Sequence, residues 1–496
     1  MARELCRHGV ETVVVDGGSE ENEPQTQALY DCEMVGLPLT GATAGRFRVL
    51  GGSTTRWGGQ ALPMDPIDFE ARDWVAHSGW PINFEEVAQY YPRAAEYMKV
   101  DARDYEAGLA RQLGLVAPPV DTRVVRYHYS KWAPRPSLRE LYLRGFRRAQ
   151  HLRLLTHANV TRIDLTEDTT AVRRVIVSSL QGSHVNVEAR YVVLCAGGIE
   201  NARLLLASDH QVTGGIGNQH DVVGRYLQDH PTTRAATVET TTPLKLQQAF
   251  NQIYRRRRKY AVRLSASEAF QRTNRTLNLS SGISFEAPLD SAIGLCKRVY
   301  DRVRRGDAGP ALLSEMAMIG KSAGSLARPA YHYVVKGRQF VPDATYTIHV
   351  ISEQEPDPSS RVSLADTRDA LGVRKPRIDW RVQPSTARSI RLFAQTLRGE
   401  FHRLGLGQLV LEPWLDADHM DWQSRISDAY HHIGTTRMSD NPRCGVVQSR
   451  CQVHGIDNLY VAGSSVFPTG GHSNPTFTAL ALAFRTCDEL RLRLRH

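Results

Sequence analysis

No stretch of this 496-residue chain approaches the roughly 18 consecutive apolar residues that a membrane-spanning helix needs, so no integral membrane segment is expected. Low-complexity tracts and repeats of solenoid period are missing too, which excludes a disordered scaffold and a stacked repeat array. The cysteines, Cys6, Cys32, Cys195, Cys296, Cys444, Cys451 and Cys487, are odd in number and scattered. They give neither a disulfide framework nor the paired spacing of a zinc site. That pattern fits a reducing, cytoplasmic compartment, with no metal expected. No secretory leader is visible.

What is present is ordinary for a globular protein: 41% hydrophobic and 23% charged residues. Net charge is +10, mostly through arginine, and the densest basic run is residues 254–260. Such a run suits a nucleic-acid or anionic-lipid patch, or a solvated loop or helix face. Nothing else resembles a nucleic-acid module, so no nucleic-acid partner is expected.

The first eighteen residues, MARELCRHGVETVVVDGG, read as helix, glycine stop, β-branched strand and acid. This is the second half of a dinucleotide-binding βαβ unit, in which Asp16 would take ribose hydroxyls about 20 residues after a Gly-x-Gly-x-x-Gly turn. Counted back from Asp16, that turn and the first strand would precede residue 1. A start placed too late and a truncated, inactive copy both explain this. The intact downstream motifs favour the former, and the chain as it stands is expected to bind a dinucleotide poorly.

Further glycine turns mark the same kind of site. Residues 47–60 hold Gly51, Gly52, Gly58 and Gly59, where backbone must approach something closely. The strands 152–156, 159–165 (with Val160) and 172–179 are read as one continuing sheet. Residues 191–196 form a continuous apolar run ending at Gly197-Gly198, directly before a helix. At the C-terminal end, Asn458–Val461 leads to Gly463 and Ser464, and Asn474-Pro475-Thr476 opens the final helix. Residues 234–424 alternate as an antiparallel sheet would. One nucleotide-binding lobe thus comes from three separated segments.

Two stretches could carry chemistry: Tyr430–Met438, containing His431 and His432, and His472–Thr476. Alone, a His-His pair is more often structural, and an asparagine before a proline at a helix start is ordinarily a cap.

Taken together, the blocks change that. His431-x-x-Gly434-Thr-x-Arg-Met438, the 458–463 strand and Asn474-Pro-Thr resemble the glucose–methanol–choline (GMC) oxidoreductases. So do Gly224–Pro231, residues 50–53 and residues 197–203. The Asn-Pro-Thr and Thr-Arg-Met blocks look most like the pyranose-oxidising branch. The resemblance implies an α/β fold: a Rossmann-like FAD-binding domain from residues 1–75, 151–233 and 425–496, and a substrate domain on an antiparallel sheet from 76–150 and 234–424. It implies FAD as cofactor and oxidation of an alcohol, on a sugar, glycoside or polyol, with the electron acceptor unspecified. A non-sugar alcohol or a non-catalytic remnant are the alternatives. His431 takes the base position and Asn474 the second catalytic position. Asp16, Gly51, Gly52, Ser53, Gly58, Val160, Gly197, Gly463, Ser464, Pro475 and Thr476 fall at cofactor contacts. His432 is expected to face away, as the neighbour of His431 in extended chain. Arg56 stands where some sugar-oxidising relatives carry a flavin-linked histidine, so FAD is expected without a covalent bond. A nicotinamide-dependent reading would need another Gly-x-Gly-x-x-Gly turn, which the chain does not contain.

Overall fold

The computed structural model describes residues 1–255, 257–305, 309–416 and 421–495. Helix α1 (Ala2–Arg7) stops at Gly9, whose φ of +75° favours glycine. The β-branched run after it is β1 (Thr12–Val15). It pairs in parallel with β5 (Leu152–Leu155), Val13 opposite Arg153. A second parallel pair joins β9 (Val192–Leu194) to β18 (Leu459–Val461). Helix α2 (Gly197–Ala207) follows β9, and helix α4 (Pro475–Arg493) closes the chain. Leu5 of α1 packs with Tyr460, Cys487 and Leu490, tying both ends of the chain to this lobe.

The single sheet expected over residues 152–179 is instead two. β5 belongs to the parallel pair. β6 (Asn159–Leu165), β7 (Val172–Ser178) and β8 (His184–Val187) form a separate antiparallel meander. All these strands share similar alternation, and alternation does not encode the partner strand.

The second lobe is an antiparallel sheet ordered β17 (Gln408–Leu411), β10 (Thr232–Glu239), β14 (Thr345–Ser352), β13 (Leu279–Glu286), β12 (Arg258–Ala266), β4 (Val125–Trp132), β3 (Gln60–Ala61). β11 (Ile253–Arg255) pairs with β12. The basic run therefore crosses a hairpin, not a loop or a helix face; its Arg256 lies outside the described residues. One sheet face, with Val262, Leu264, Ile348 and Val350, shares a core with Ile390, Phe393 and Leu397 of helix α3 (Pro384–Arg403).

The lobes interleave more than the sequence boundaries suggest. β3, inside the 1–75 segment, hydrogen-bonds to β4 of the antiparallel sheet. β15 (Arg361–Arg368) and β16 (Arg374–Asp379), inside the 234–424 segment, form a three-stranded sheet with β2 (Glu33–Met34). Val362 and Ile378 of that sheet share the core of α2. No described helix is long and apolar enough to cross a membrane.

Candidate active site

The chain segments carrying His230 and His431 run antiparallel, with Gln228 and Ile433 exchanging both backbone hydrogen bonds. That register sets the two histidines opposite each other. Their rings meet edge to face at 5.0 Å, with Nδ1 to Nδ1 at 2.8 Å. One carboxylate fixes both backbones. Asp229 accepts the His230 and Ala429 amides at Oδ1 (2.6 and 2.9 Å) and the His431 amide at Oδ2 (2.8 Å). Tyr430, just before His431, holds a left-handed φ of +65°, the kind of local strain that clusters at functional sites.

The hydrogen-bond chain assigns the ring protons. His230 Nε2 faces the Gly470 carbonyl at 3.3 Å, and a carbonyl only accepts, so the proton sits on Nε2. Burial lowers the His230 imidazole to about 4, so it is neutral and its Nδ1 is an acceptor. His431 must then donate from Nδ1. Its Nε2 keeps a lone pair, and the Asn474 amide Nδ2 approaches that atom at 3.2 Å. Burial first, then the neighbouring His230 and His432, hold His431 well below its ordinary value, so it too is neutral. A neutral imidazole with one ring nitrogen held and the other turned to a donor is arranged as a proton acceptor.

His432 points elsewhere. It is buried, its carbonyl and Cβ lie against Gly198, and its Nε2 has no hydrogen-bond partner among the described residues.

Asn474 occupies the cap position of α4, yet its side chain makes no cap hydrogen bond. The cap expected from the sequence is corrected on this point: the amide is committed to His431. Pro475 at the first helical position removes one amide that would otherwise need a partner. About half a positive charge is associated with the N-terminus of such a helix.

Three of the expected glycine positions have open space around them. A Cβ added at Gly52, Gly197 or Gly463 would meet nothing within 4 Å, and all three hold positive φ (+54°, +87° and +112°). Gly197 and Gly463 follow the paired strands β9 and β18, and Asn201 of α2 reaches Ser465 at 2.9 Å. Ser464 Oγ donates to the His432 carbonyl at 2.8 Å, which joins this cluster to the histidines.

Asp16 lies in a second cluster. Its Oδ1 accepts the Gly18 amide at 2.8 Å, and Leu50 donates to the Ser19 carbonyl. This brings Gly51, Gly52 and Ser53 beside the strand end. Asn159, next to Val160, accepts from Arg48 at 2.7 Å. Gly58 packs against the Trp132 ring, and Pro475 and Thr476 begin α4. Open backbone at strand ends beside two helix N-termini suits a dinucleotide, whose phosphates bind amides and whose ribose binds a carboxylate.

Glu200 links α2 to the segment before the glycine loop, its Oε1 accepting from Arg46 at 2.7 Å. Burial would raise this carboxyl, but Arg46, Arg203 and Arg48 outweigh it and hold it below its ordinary value. Glu200, Asp229 and His230 all sit inside the matching motif blocks, but motif position alone assigned them no role.

Parallel strands ending at glycines, and a neutral imidazole held against an amide at a helix N-terminus, suit a dinucleotide cofactor beside a proton acceptor. Sequence models of the GMC oxidoreductase family match residues 126–232 and 356–483, and the chain belongs to that family. Its members are FAD-dependent alcohol oxidoreductases. The chain is 24% identical over 308 residues to the fructose dehydrogenase large subunit of Gluconobacter japonicus, covering 61% of this chain and 47% of that one. It therefore spans about half the length of that relative. It is 23% identical over 530 residues to the 2-methyl-1,2-propanediol dehydrogenase of Mycolicibacterium austroafricanum, covering 95% and 87%. Pyridoxine 4-oxidase from "Mesorbium loti" shares the fold, with a TM-score of 0.57 at 18% identity, over 99% of this chain and 96% of that one.

Proposed function

We propose that this protein oxidises an alcohol group on a sugar, glycoside or polyol, with His431 as the base. The observation that carries this is the single hydrogen-bonded line from the Gly470 carbonyl through His230 and His431 to Asn474. It leaves His431 Nε2 as the proton acceptor and the Asn474 amide as the donor beside it. FAD, when bound, supplies the acceptor for the hydride leaving the alcohol carbon. His431 Nε2 removes the hydroxyl proton, and the Asn474 amide hydrogen-bonds the substrate oxygen and orients the carbon.

Asp16 would hold the FAD ribose. Gly197, Gly463 and Ser464 would face the phosphates and flavin, with Gly51, Gly52, Ser53, Gly58, Val160, Pro475 and Thr476 completing the contacts. Arg56 is exposed and provides no imidazole, so FAD is held without a covalent bond. The FAD lobe comprises residues 1–75, 151–233 and 425–496, with β15 and β16 added.

A relative named for fructose supports the sugar reading, and a relative named for a branched diol supports a non-sugar alcohol. Rapid-mixing reduction of the FAD-loaded protein by matched sugars and small diols separates the two. Faster reduction by diols at equal concentration would overturn the sugar assignment.

A further inference from the structure

One face of the antiparallel sheet is polar where its opposite face, packed on α3, is apolar. In register across the strands, His128 on β4 faces Arg263 on β12, and Gly282 on β13 faces His349 on β14. Leu264 opposite Ser281 sets Arg263 opposite Gly282, so the four residues form one row on one face. The guanidinium lies over the glycine: a Cβ at Gly282 would come within 2.8 Å of Arg263 Nη1. Cross-strand neighbours along the same face include Ser265 and Ser280.

Arg263 has neither an ion pair nor a hydrogen-bond partner among the described residues. The other cations of this face are committed. Arg126 pairs with Asp65 at 2.7 Å, Arg234 with Glu412 at 2.8 Å, and Lys259 lies 3.9 Å over the Trp132 ring. Burial depresses the Arg263 guanidinium, with no carboxylate opposing it. Around it, the Oγ atoms of Ser265 and Ser280 and both ring nitrogens of His128 are buried without partners. These side chains are 0%, 1% and 1% exposed. A desolvated cation beside buried, unsatisfied polar groups is costly unless a ligand completes it. The row reaches the segment that leads into α4: the His128 ring is 5.7 Å from that of His472, two residues before Asn474.

We infer that Arg263, between His128 and His349, binds an anionic group of the substrate, so that the compound oxidised is a hydroxylated acid or ester. A carboxylate and a phosphate ester share the chemistry a guanidinium recognises, two acceptor oxygens in one plane. The inference rests on the alcohol-oxidising reading for the substrate's hydroxyl, but the anion site stands on its own contacts.

The test uses the full chain, with inorganic sulfate as the first probe at constant ionic strength held by chloride. Binding is read from the shift of the thermal unfolding midpoint in wild type, Arg263→Met and Arg263→Lys. Sulfate is expected to stabilise wild type saturably, and Arg263→Met to raise the half-saturating concentration at least tenfold, with Arg263→Lys between them. Removing a desolvated charge with no counter-ion should not lower the midpoint measured without sulfate. If the methionine variant does not fold, Arg263→Gln is read in the same way. An unchanged sulfate response in the folded variant overturns the proposal.

Glucose, glucuronate and glucose 6-phosphate then compete against sulfate. Competition by either anionic sugar, but not by glucose, supports the site, and the stronger competitor identifies carboxylate or phosphate. Equal weak competition by all three overturns it. Competition without flavin reduction by any hydroxylated compound leaves the anion site standing and defeats the alcohol reading. Flavin reduction by glucuronate or glucose 6-phosphate, equal in rate and half-saturating concentration in wild type and Arg263→Met, defeats the anion site and leaves the alcohol reading standing.

Discussion

His230 and His431 face each other through like ring atoms, Nδ1 to Nδ1 at 2.8 Å, so one must donate and the other accept. The Gly470 carbonyl decides the direction, because it holds the His230 proton on the far nitrogen. His230 is therefore a positioning residue. It fixes which tautomer of His431 stands beside Asn474.

His230→Ala removes the acceptor for His431 Nδ1–H and frees the ring to place its proton on Nε2. Flavin reduction by a saturating alcohol is expected to slow by about 10- to 100-fold, with substrate affinity changing much less. His230→Gln offers an oxygen acceptor in the same direction and should recover part of the rate. Equal rates in the two variants would show that His230 fills space and does nothing to the tautomer.

Asn474→Ala separates catalysis from capping. The side chain makes no cap hydrogen bond, so the denaturant midpoint should move by less than about 0.5 kcal/mol in stability. Flavin reduction should nevertheless slow, because the donor to the substrate oxygen is gone. A stability loss of about 1 kcal/mol, typical of a lost cap, with an unchanged rate would restore the structural reading.

Gly198→Ala probes how closely α2 approaches the histidine segment. The added Cβ would lie 2.5 Å from the His432 carbonyl oxygen and 2.7 Å from its Cβ, and backbone cannot yield as a long side chain does. Thr435 Oγ1 also donates to the Gly198 carbonyl, so a shift there breaks a second contact. Destabilisation of about 1–3 kcal/mol is expected in chemical unfolding. A neutral substitution would mean that α2 is free to slide.

The pH dependence of stability has a defined sign at His432. Burial first, with Arg46 adding to it, depresses this imidazole to about 3. The unfolded chain takes up a proton near pH 6.5, whereas the folded chain resists it. The stability from His432 is thus complete above that value and lost as pH falls toward about 3. Asp229 has the opposite sign: burial and Asp428 push it up to about 7, and its contribution is lost as pH rises through that value. Comparing wild type with His432→Gln isolates the histidine. The variant should gain on wild type by about 2 kcal/mol between pH 6.5 and 5; parallel stability curves would contradict the buried neutral imidazole.

The sequence showed the local grammar of this fold well. Gly9 ending α1, the acid after β1, the glycines after β9 and β18, and Pro475 opening α4 are all decided by residues a few positions apart. Pairing across the chain was not legible. Nothing in residues 152–165 says that β5 leaves with β1 while β6 turns back on β7. Nor does either sequence neighbourhood show that His230 meets His431 across 201 positions. That the Asn474 side chain leaves its cap position unbonded is not legible for the same reason: capping geometry is local, but the competing partner is 43 residues away. The role of Arg263 depends on a glycine on the neighbouring strand β13, visible only once the register is known.

The measurement that tests the account most directly is rapid-mixing flavin reduction in the FAD-loaded His431→Ala and His432→Ala variants, normalised to bound flavin. His431→Ala should slow reduction by roughly 10²–10⁴-fold while retaining FAD. His432→Ala should cost stability through the cavity it leaves, but change the normalised rate far less. If His432→Ala is the more damaging to the rate, the proton acceptor is not His431, and the hydrogen-bonded line from Gly470 to Asn474 is not the catalytic one.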